Sequence, residues 1–304
     1  MVEFALAADI NGEPPSVMVA DCTNDTPAFH VSKNVEMALT PPVMENQESY
    51  VKVVLELARR RGVDLVIPLS DLDLEILSAN KEKFLSKGVT VLVSDSETIQ
   101  RCMDKKIGYK FCRAHGIPVP NSFFSLEEFD GRFPVIKKPI RGSGSADTSE
   151  ITKQAELSAF KEGVDMLQTL VDGVEYGVDI LNDLDGQFVS VCVKRKILMR
   201  AGETDKSTVV QHPEIEKLSL QVGGALRHVG NLDLDVMEAP TGELFCLDLN
   251  PRFGGGYPAT HLAGMNYLQA AIGLVAGINV TLPERAREVT VMKGISLHVM
   301  EATL

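Results

Sequence analysis

From Leu244 to Phe253 the chain reads Leu-Phe-Cys-Leu-Asp-Leu-Asn-Pro-Arg-Phe, and Gly254, Gly255 and Gly256 follow. Its first half alternates as a buried strand does, yet Asp248 and Asn250 interrupt the apolar run on a shared side. Residues two apart on a strand point to one face, about 7 Å from each other along the backbone. A carboxylate and an amide oxygen therefore aim at the same region, and hard oxygen donors of this kind suit Mg2+. Pro251 ends the ladder, and Arg252 carries a fork suited to bidentate contact with a phosphate or a carboxylate. For Asp-x-Asn alone, a strand running into a polar turn is the simpler reading.

Asp235 changes the balance. It lies in a second alternating run, Leu232-Asp233-Leu234-Asp235-Val236-Met237, separated from the first by Ala239-Pro240-Thr241-Gly242-Glu243. Pro and Gly in so short a connection predict a hairpin. Asp235 and Asp248 then sit on adjacent antiparallel strands, with no positive side chain expected between them. Asp233 is assigned to the opposite face.

The chain has 304 residues, 24% of them charged and 44% hydrophobic, which is ordinary for a globular protein with two or three subdomains. A net charge of -12 argues against nucleic acid or an anionic membrane as main partner. It leaves room for ATP, which needs only a few local cations and a metal. No segment approaches the ~18 unbroken apolar residues of a membrane span. The five cysteines are scattered and lack CxxC spacing, so reduced thiols and a cytoplasmic location are expected.

Upstream, the pattern predicts helices over 2–10, 51–61 and 72–85, with strands over 16–20, 65–68 and 89–93. That alternation implies parallel βαβ units with right-handed crossovers. Such a domain ordinarily opens with a strand and a glycine turn, so the sequence is expected to start late and, ending abruptly at Leu304, to be trimmed. No G-x-G-x-x-G lies near the start, which removes the main support for dinucleotide binding. Two short helices follow over 96–115, the second capped by Asp104. Residues 133–139 form a strand that runs into Arg141-Gly142-Ser143-Gly144-Ser145. Glycines let a backbone approach phosphate, although a Gly-Ser loop alone is more often a hairpin tip. A helix over 153–161, strands over 166–173 and 188–193, helices over 214–229 and 257–276, and a last strand over 295–300 complete the reading.

These residues resemble the ATP-grasp superfamily, in its carbamoyl-phosphate-synthase-large-subunit-like branch. That branch sets an acidic or amide ligand on one strand and an acid-x-Asn-Pro-Arg motif on the next. The resemblance covers nearly the whole chain and implies an α/β fold. A parallel α/β pre-ATP-grasp domain would occupy residues 1–103. An ATP-grasp domain would occupy 104–304, with a mobile lid subdomain at about 119–177. By position, Lys105 and Lys138 become nucleotide-phosphate lysines, with Lys137 facing away. Gly142, Ser143, Gly144 and Ser145 become the phosphate loop. Gln168, Thr169, Leu170 and Val171 become the hinge that reads adenine, and Glu175 the ribose acid. Asp235, Asp248 and Asn250 become the Mg2+ ligands, with Mn2+ as an alternative. Arg252, Arg200 and Lys206 become contacts for anionic groups. His261 is read as structural. The chain departs from the family at Asp147, at Thr169 and at Asp248, where the family usually has Glu.

The chemistry implied is ATP-dependent activation of a small-molecule carboxylate as an acylphosphate, followed by attack of an amine or similar nucleophile. A homodimer is one assembly open to such a chain. The other readings are a nucleotide-binding protein without ligase turnover and a single-unit carbamoyl-phosphate-synthase-like phosphotransfer enzyme.

Overall fold

The computed structural model describes residues 1–142 and 147–295. Its first part contains α1 (Val2–Leu6), β1 (Val17–Asp21), β2 (Val35–Leu39), α2 (Gln47–Arg61), β3 (Leu65–Val66), α3 (Asp71–Leu85), β4 (Thr90–Val91), α4 (Ser96–Met103) and α5 (Lys105–Ala114). β1 pairs with β2 and β3 with β4, both in parallel. The unit β3–α3–β4 is the expected parallel crossover. Local chemistry sets the helix limits. Asn46 accepts the Ser49 N–H and Ser70 the Leu72 N–H at the starts of α2 and α3, while Gly62 closes α2 in the left-handed region. Val51, Val54, Leu55 and Ala58 of α2 pack with Leu74, Leu77 and Phe84 of α3. β2 is not anticipated by the sequence reading, because Met37 and Leu39 are exposed and its apolar positions follow no clear period.

The rest contains β5 (Ser122–Phe123), β6 (Val135–Pro139), β7 (Ser149–Ile151), β8 (Asp165–Thr169), β9 (Val174–Asn182), β10 (Phe188–Arg200), β11 (Glu203–Val210), α6 (Pro213–Leu226), β12 (Gly230–Glu238), β13 (Leu244–Asn250), α7 (Tyr257–Leu262), α8 (Tyr267–Ala276) and β14 (Thr290–Met292). Two antiparallel sheets result: a small one in the order β5-β8-β6-β7 and a large one in the order β13-β12-β9-β10-β11-β14. One face of the large sheet buries Val178, Leu234 and Val236 against Ile215, Leu218 and Val222 of α6. On the other face, Cys192 and Val209 pack with Phe253, Tyr257 and Tyr267.

Several elements differ from expectation. β10 runs on to Arg200 instead of stopping at Val193, so Lys194, Arg195 and Lys196 lie within a strand. Residues 153–161 give only a 3-10 turn over Gln154–Ala159. The helix expected over 257–276 splits at Gly264, whose φ of 97° no helix accommodates. The strand expected over 295–300 lies outside the described residues beyond Ile295. Among the described residues no helix is long and apolar enough to cross a membrane.

Candidate nucleotide and metal site

β12 and β13 pair Asp235 with Asp248 and Asp233 with Asn250. Directly opposed residues share a face, so all four side chains point the same way. This corrects the assignment of Asp233 to the opposite face: it stands two residues from Asp235, one full pleat. A register shift between Asp235 and Val236 makes Leu247 the extra residue on β13. The shift keeps Val236 and Cys246 in the core while Asp248 faces the site. Nor are the carboxylates without a cation. Lys196, on β10, sets its Nζ 2.6 Å from Asp235 Oδ1 and 2.6 Å from Glu175 Oε1. Burial pulls this ammonium down, but Asp235 and Glu175 outweigh burial and hold it above its ordinary range. Burial, then the charge of Asp235, pushes the Asp233 carboxyl up to about 7. Asp235 is raised as well, mainly by burial.

From α5 and the small sheet, Lys105 and Lys138 bring their Nζ atoms within 3.5 and 3.6 Å of Asp248 Oδ1. Lys105 comes from the first turn of α5, which Asp104 caps. Its ammonium also donates to Gly142 O at 2.9 Å. Lys138 comes from β6 and donates to Tyr109 Oη at 3.2 Å and Leu247 O at 3.5 Å. Lys137 turns away to Asp165, as strand alternation requires. Tyr109 ties this corner together: its hydroxyl donates to Leu247 O and accepts from Gln168 Nε2 at 2.7 Å. Gln168 is thus buried and supports Lys138 through Tyr109, its amide engaged by Tyr109 and Ser122. At the hinge, the Thr169 N–H donates to Asn121 O (2.8 Å) and that of Leu170 to Pro134 O (3.5 Å). Val171 is the second residue past the end of β8. Ser143, Gly144 and Ser145 lie outside the described residues.

Beyond the hairpin, Arg252 donates from both edges of one side of its guanidinium to Asp71, the first residue of α3. Beneath it lies a buried ionic cluster, just past the end of the strand expected over 188–193. Lys194 pairs with Asp179, both essentially inaccessible. Thr260 donates to the same carboxylate, and Asn231 Nδ2 links Asp179 Oδ1 (2.9 Å) to Arg252 O (3.1 Å). Gly254 is required here, since an added Cβ would fall 1.9 Å from Asp233 Oδ2. The signal for Lys194 and Lys196 was present as alternation from Cys192, once β10 is seen to continue. Arg200, by contrast, is exposed at the far end of β10 and pairs with Asp205 at 3.0 Å. Lys206 alternates with the buried Asp205 and Ser207, so it sits on the sheet face away from Lys196. The geometry therefore brings together Lys105, Lys138, Glu175, Asp235, Asp248, Asn250 and Arg252, and leaves Arg200 and Lys206 apart.

Among the described residues no three His, Cys, Asp or Glu side chains form a ready-made metal cage. Asp235 and Asp248 face one another, and Asn250 engages its Nδ2 with Asp233 O at 3.1 Å, which turns its oxygen into the available donor. Two carboxylates and an amide fit Mg2+, which completes its shell with water and phosphate oxygens. The raised proton affinity of Asp235, beside the Asp248 carboxylate, is a setting that a cation relieves.

Comparison with known proteins gives the family and the fold. The ATP-grasp domain family model matches residues 102–256, and that of the PylC-like, N-terminal domain matches residues 5–92. A Streptomyces coelicolor protein assigned as a D-alanine–D-lactate ligase is 30% identical over 148 residues, 44% of this chain and 42% of its own. The chain thus spans less than half the length of that curated relative. Among solved structures, an L-amino acid ligase from Bacillus licheniformis superposes with a TM-score of 0.67 at 17% identity, over 86% of this chain and 68% of its own. N5-carboxyaminoimidazole ribonucleotide synthetase from Thermotoga maritima gives 0.64 at 18% identity, over 88% and 70%. Both share the fold.

Proposed function

The chain belongs to the ATP-grasp family, and on that premise we propose that it is an ATP- and Mg2+-dependent ligase joining a carboxylate to an amine or similar nucleophile. One observation carries the reading: two nearly buried lysines from separate elements converge on Asp248, opposite Asp235. Without nucleotide these opposite charges satisfy one another. With nucleotide, Lys105 and Lys138 would turn to phosphate oxygens, while Asp235, Asp248 and Asn250 would hold Mg2+. The metal would supply neutralisation of charge on the phosphates.

Phosphoryl transfer needs positioning and electrostatic stabilisation more than covalent help. A substrate carboxylate oxygen forms a bond to the γ-phosphorus as the bond to the β–γ bridging oxygen breaks, releasing ADP. The amine nitrogen then attacks the acyl carbon, phosphate leaves with its oxygen, and the nitrogen loses a proton. Lys138 and Arg252 would orient the anionic groups. Glu175, at the start of β9, would accept ribose hydroxyls beside the Lys196 ammonium that it shares with Asp235. The hinge at Thr169, Leu170 and Val171 would face the base, with Gln168 buttressing it. We place the domain boundary near residue 103 and the lid at about 119–177. A cytoplasmic setting and a homodimer belong to the same proposal.

The test is a panel of carboxylates crossed with amines, read as Mg2+-dependent ADP release. ADP formed only when both partners are present supports the ligase. Nucleotide binding without ADP release under any pair identifies a binding protein. A stable acylphosphate that accumulates as the product, trapped by hydroxylamine after the enzyme is removed and not converted to amide when an amine is supplied, identifies a phosphotransfer enzyme.

A further inference from the structure

We infer that Asp71, contributed by the N-terminal part of the chain, is a positioning residue that seats the Arg252 guanidinium for anion binding. The inference rests on the ligase reading above. Arg252 Nε donates to Asp71 Oδ1 at 2.6 Å and an Nη donates to Oδ2 at 3.0 Å, across a sequence separation of 181 residues. The two side chains are only 16% and 11% exposed. A flexible arginine at an exposed turn would sample many rotamers, whereas a bidentate, largely buried pair fixes both plane and direction.

Both partners are themselves held. Asp71 opens α3 directly after Ser70, whose Oγ accepts the Leu72 N–H at 3.2 Å. Arg252 follows Pro251, its N–H donates to Asn250 O at 2.8 Å, and its carbonyl accepts from Asn231 Nδ2 at 3.1 Å. The pair engages the Nε side of the guanidinium. The other Nη lies 3.4 Å from Phe253 O, a long contact that leaves the terminal edge able to bond an incoming oxygen. Glu75, one turn further along α3, pairs with Arg141, the residue before Gly142. One face of α3 therefore holds an arginine beside the hairpin and another at the approach to the glycine loop. Anion binding in the ATP-grasp part of the chain depends in this way on a helix that precedes it.

The probe is inorganic phosphate titrated calorimetrically into protein saturated with Mg-ADP. Asp71→Asn should leave Mg-ADP affinity within twofold and weaken phosphate at least tenfold. Asp71→Glu, which keeps the charge, should recover most of the loss and keeps the test open if the asparagine variant does not fold. In an Arg252→Ala background, Asp71→Asn should cost nothing further, since the residue acts through Arg252. An Arg252 Nε–H resonance, assigned by comparison with Arg252→Lys in 15N-arginine-labelled protein, should be protected from exchange in the wild type and lost in Asp71→Asn. Unchanged or tighter phosphate binding in Asp71→Asn would make Asp71 a competitor for Arg252 and overturn the inference. So would an equal loss in the Arg252→Ala background, or a wild type that binds Mg-ADP but takes no phosphate. A wild type that binds no Mg-ADP overturns the ligase reading itself.

Discussion

Asp235 and Asp248 oppose one another across β12 and β13, and the Lys196 ammonium stands 2.6 Å from Asp235 Oδ1. The candidate metal site is therefore balanced by lysines before any ligand arrives. Lys196 serves Asp235 from within the sheet, and Lys105 and Lys138 serve Asp248 from α5 and the small sheet. Nucleotide binding would exchange these pairs for lysine–phosphate and carboxylate–metal contacts.

Lys138→Ala should weaken ATP binding by roughly ten- to a hundredfold, since hydrogen bonds to charged groups contribute about 1.5–3 kcal/mol. Lys137→Ala should not, because Lys137 turns to Asp165. Calorimetric titration of ATP into both variants checks the assignment. An unchanged affinity for Lys138→Ala, with a loss for Lys137→Ala, would reverse it.

Lys194→Met should destabilise the fold by about 3–5 kcal/mol, because it strands the buried Asp179 carboxylate without its cation. The double variant Lys194→Met, Asp179→Leu should recover part of that loss. Urea melts of the three proteins measure it. A single variant as stable as wild type would mean the carboxylate is neutral in the fold.

His228 gives a pH dependence. Burial pushes its imidazole down to about 4, and its ring nitrogens face Ile180 O and Asn182 Nδ2. Its folded affinity for a proton is below the unfolded value near 6.5, so its contribution is fully present above pH 6.5. As pH falls toward 4 the unfolded chain takes up a proton that the fold refuses, costing up to about 3 kcal/mol before the effect levels off. Stability of His228→Gln against wild type at pH 7 and pH 5 isolates the term. Equal slopes in the two proteins would contradict it.

Much of this site can be read from the sequence where the signal is local. The Pro–Gly connection gives the hairpin, alternation sets Lys137 and Lys138 on opposite faces, and the family resemblance selects Lys138. The same two-residue period places Asp233 beside Asp235, against the face first assigned to it. Lys194 and Lys196 became visible only when β10 proved to continue past Val193, because a charged strand and a solvated loop have the same composition. Asp71 left no trace at all. It lies 181 residues from Arg252, and no periodicity encodes a contact between a helix start and a distant turn.

Mg2+-dependent thermal stabilisation of Asp248→Asn tests the central claim most directly. The substitution keeps the shape of the side chain and removes one charge. The variant should fold without metal, yet lose the added stabilisation that Mg2+ gives in the presence of nucleotide. A complex weakened roughly a hundredfold forfeits up to about 2.7 kcal/mol of linked stability. Glu214→Gln, on the exposed first turn of α6, is the control and should keep the full shift. Loss of the shift in Asp248→Asn alone is the predicted result. A full magnesium-dependent shift in Asp248→Asn would contradict the site, and with it the role assigned to the hairpin.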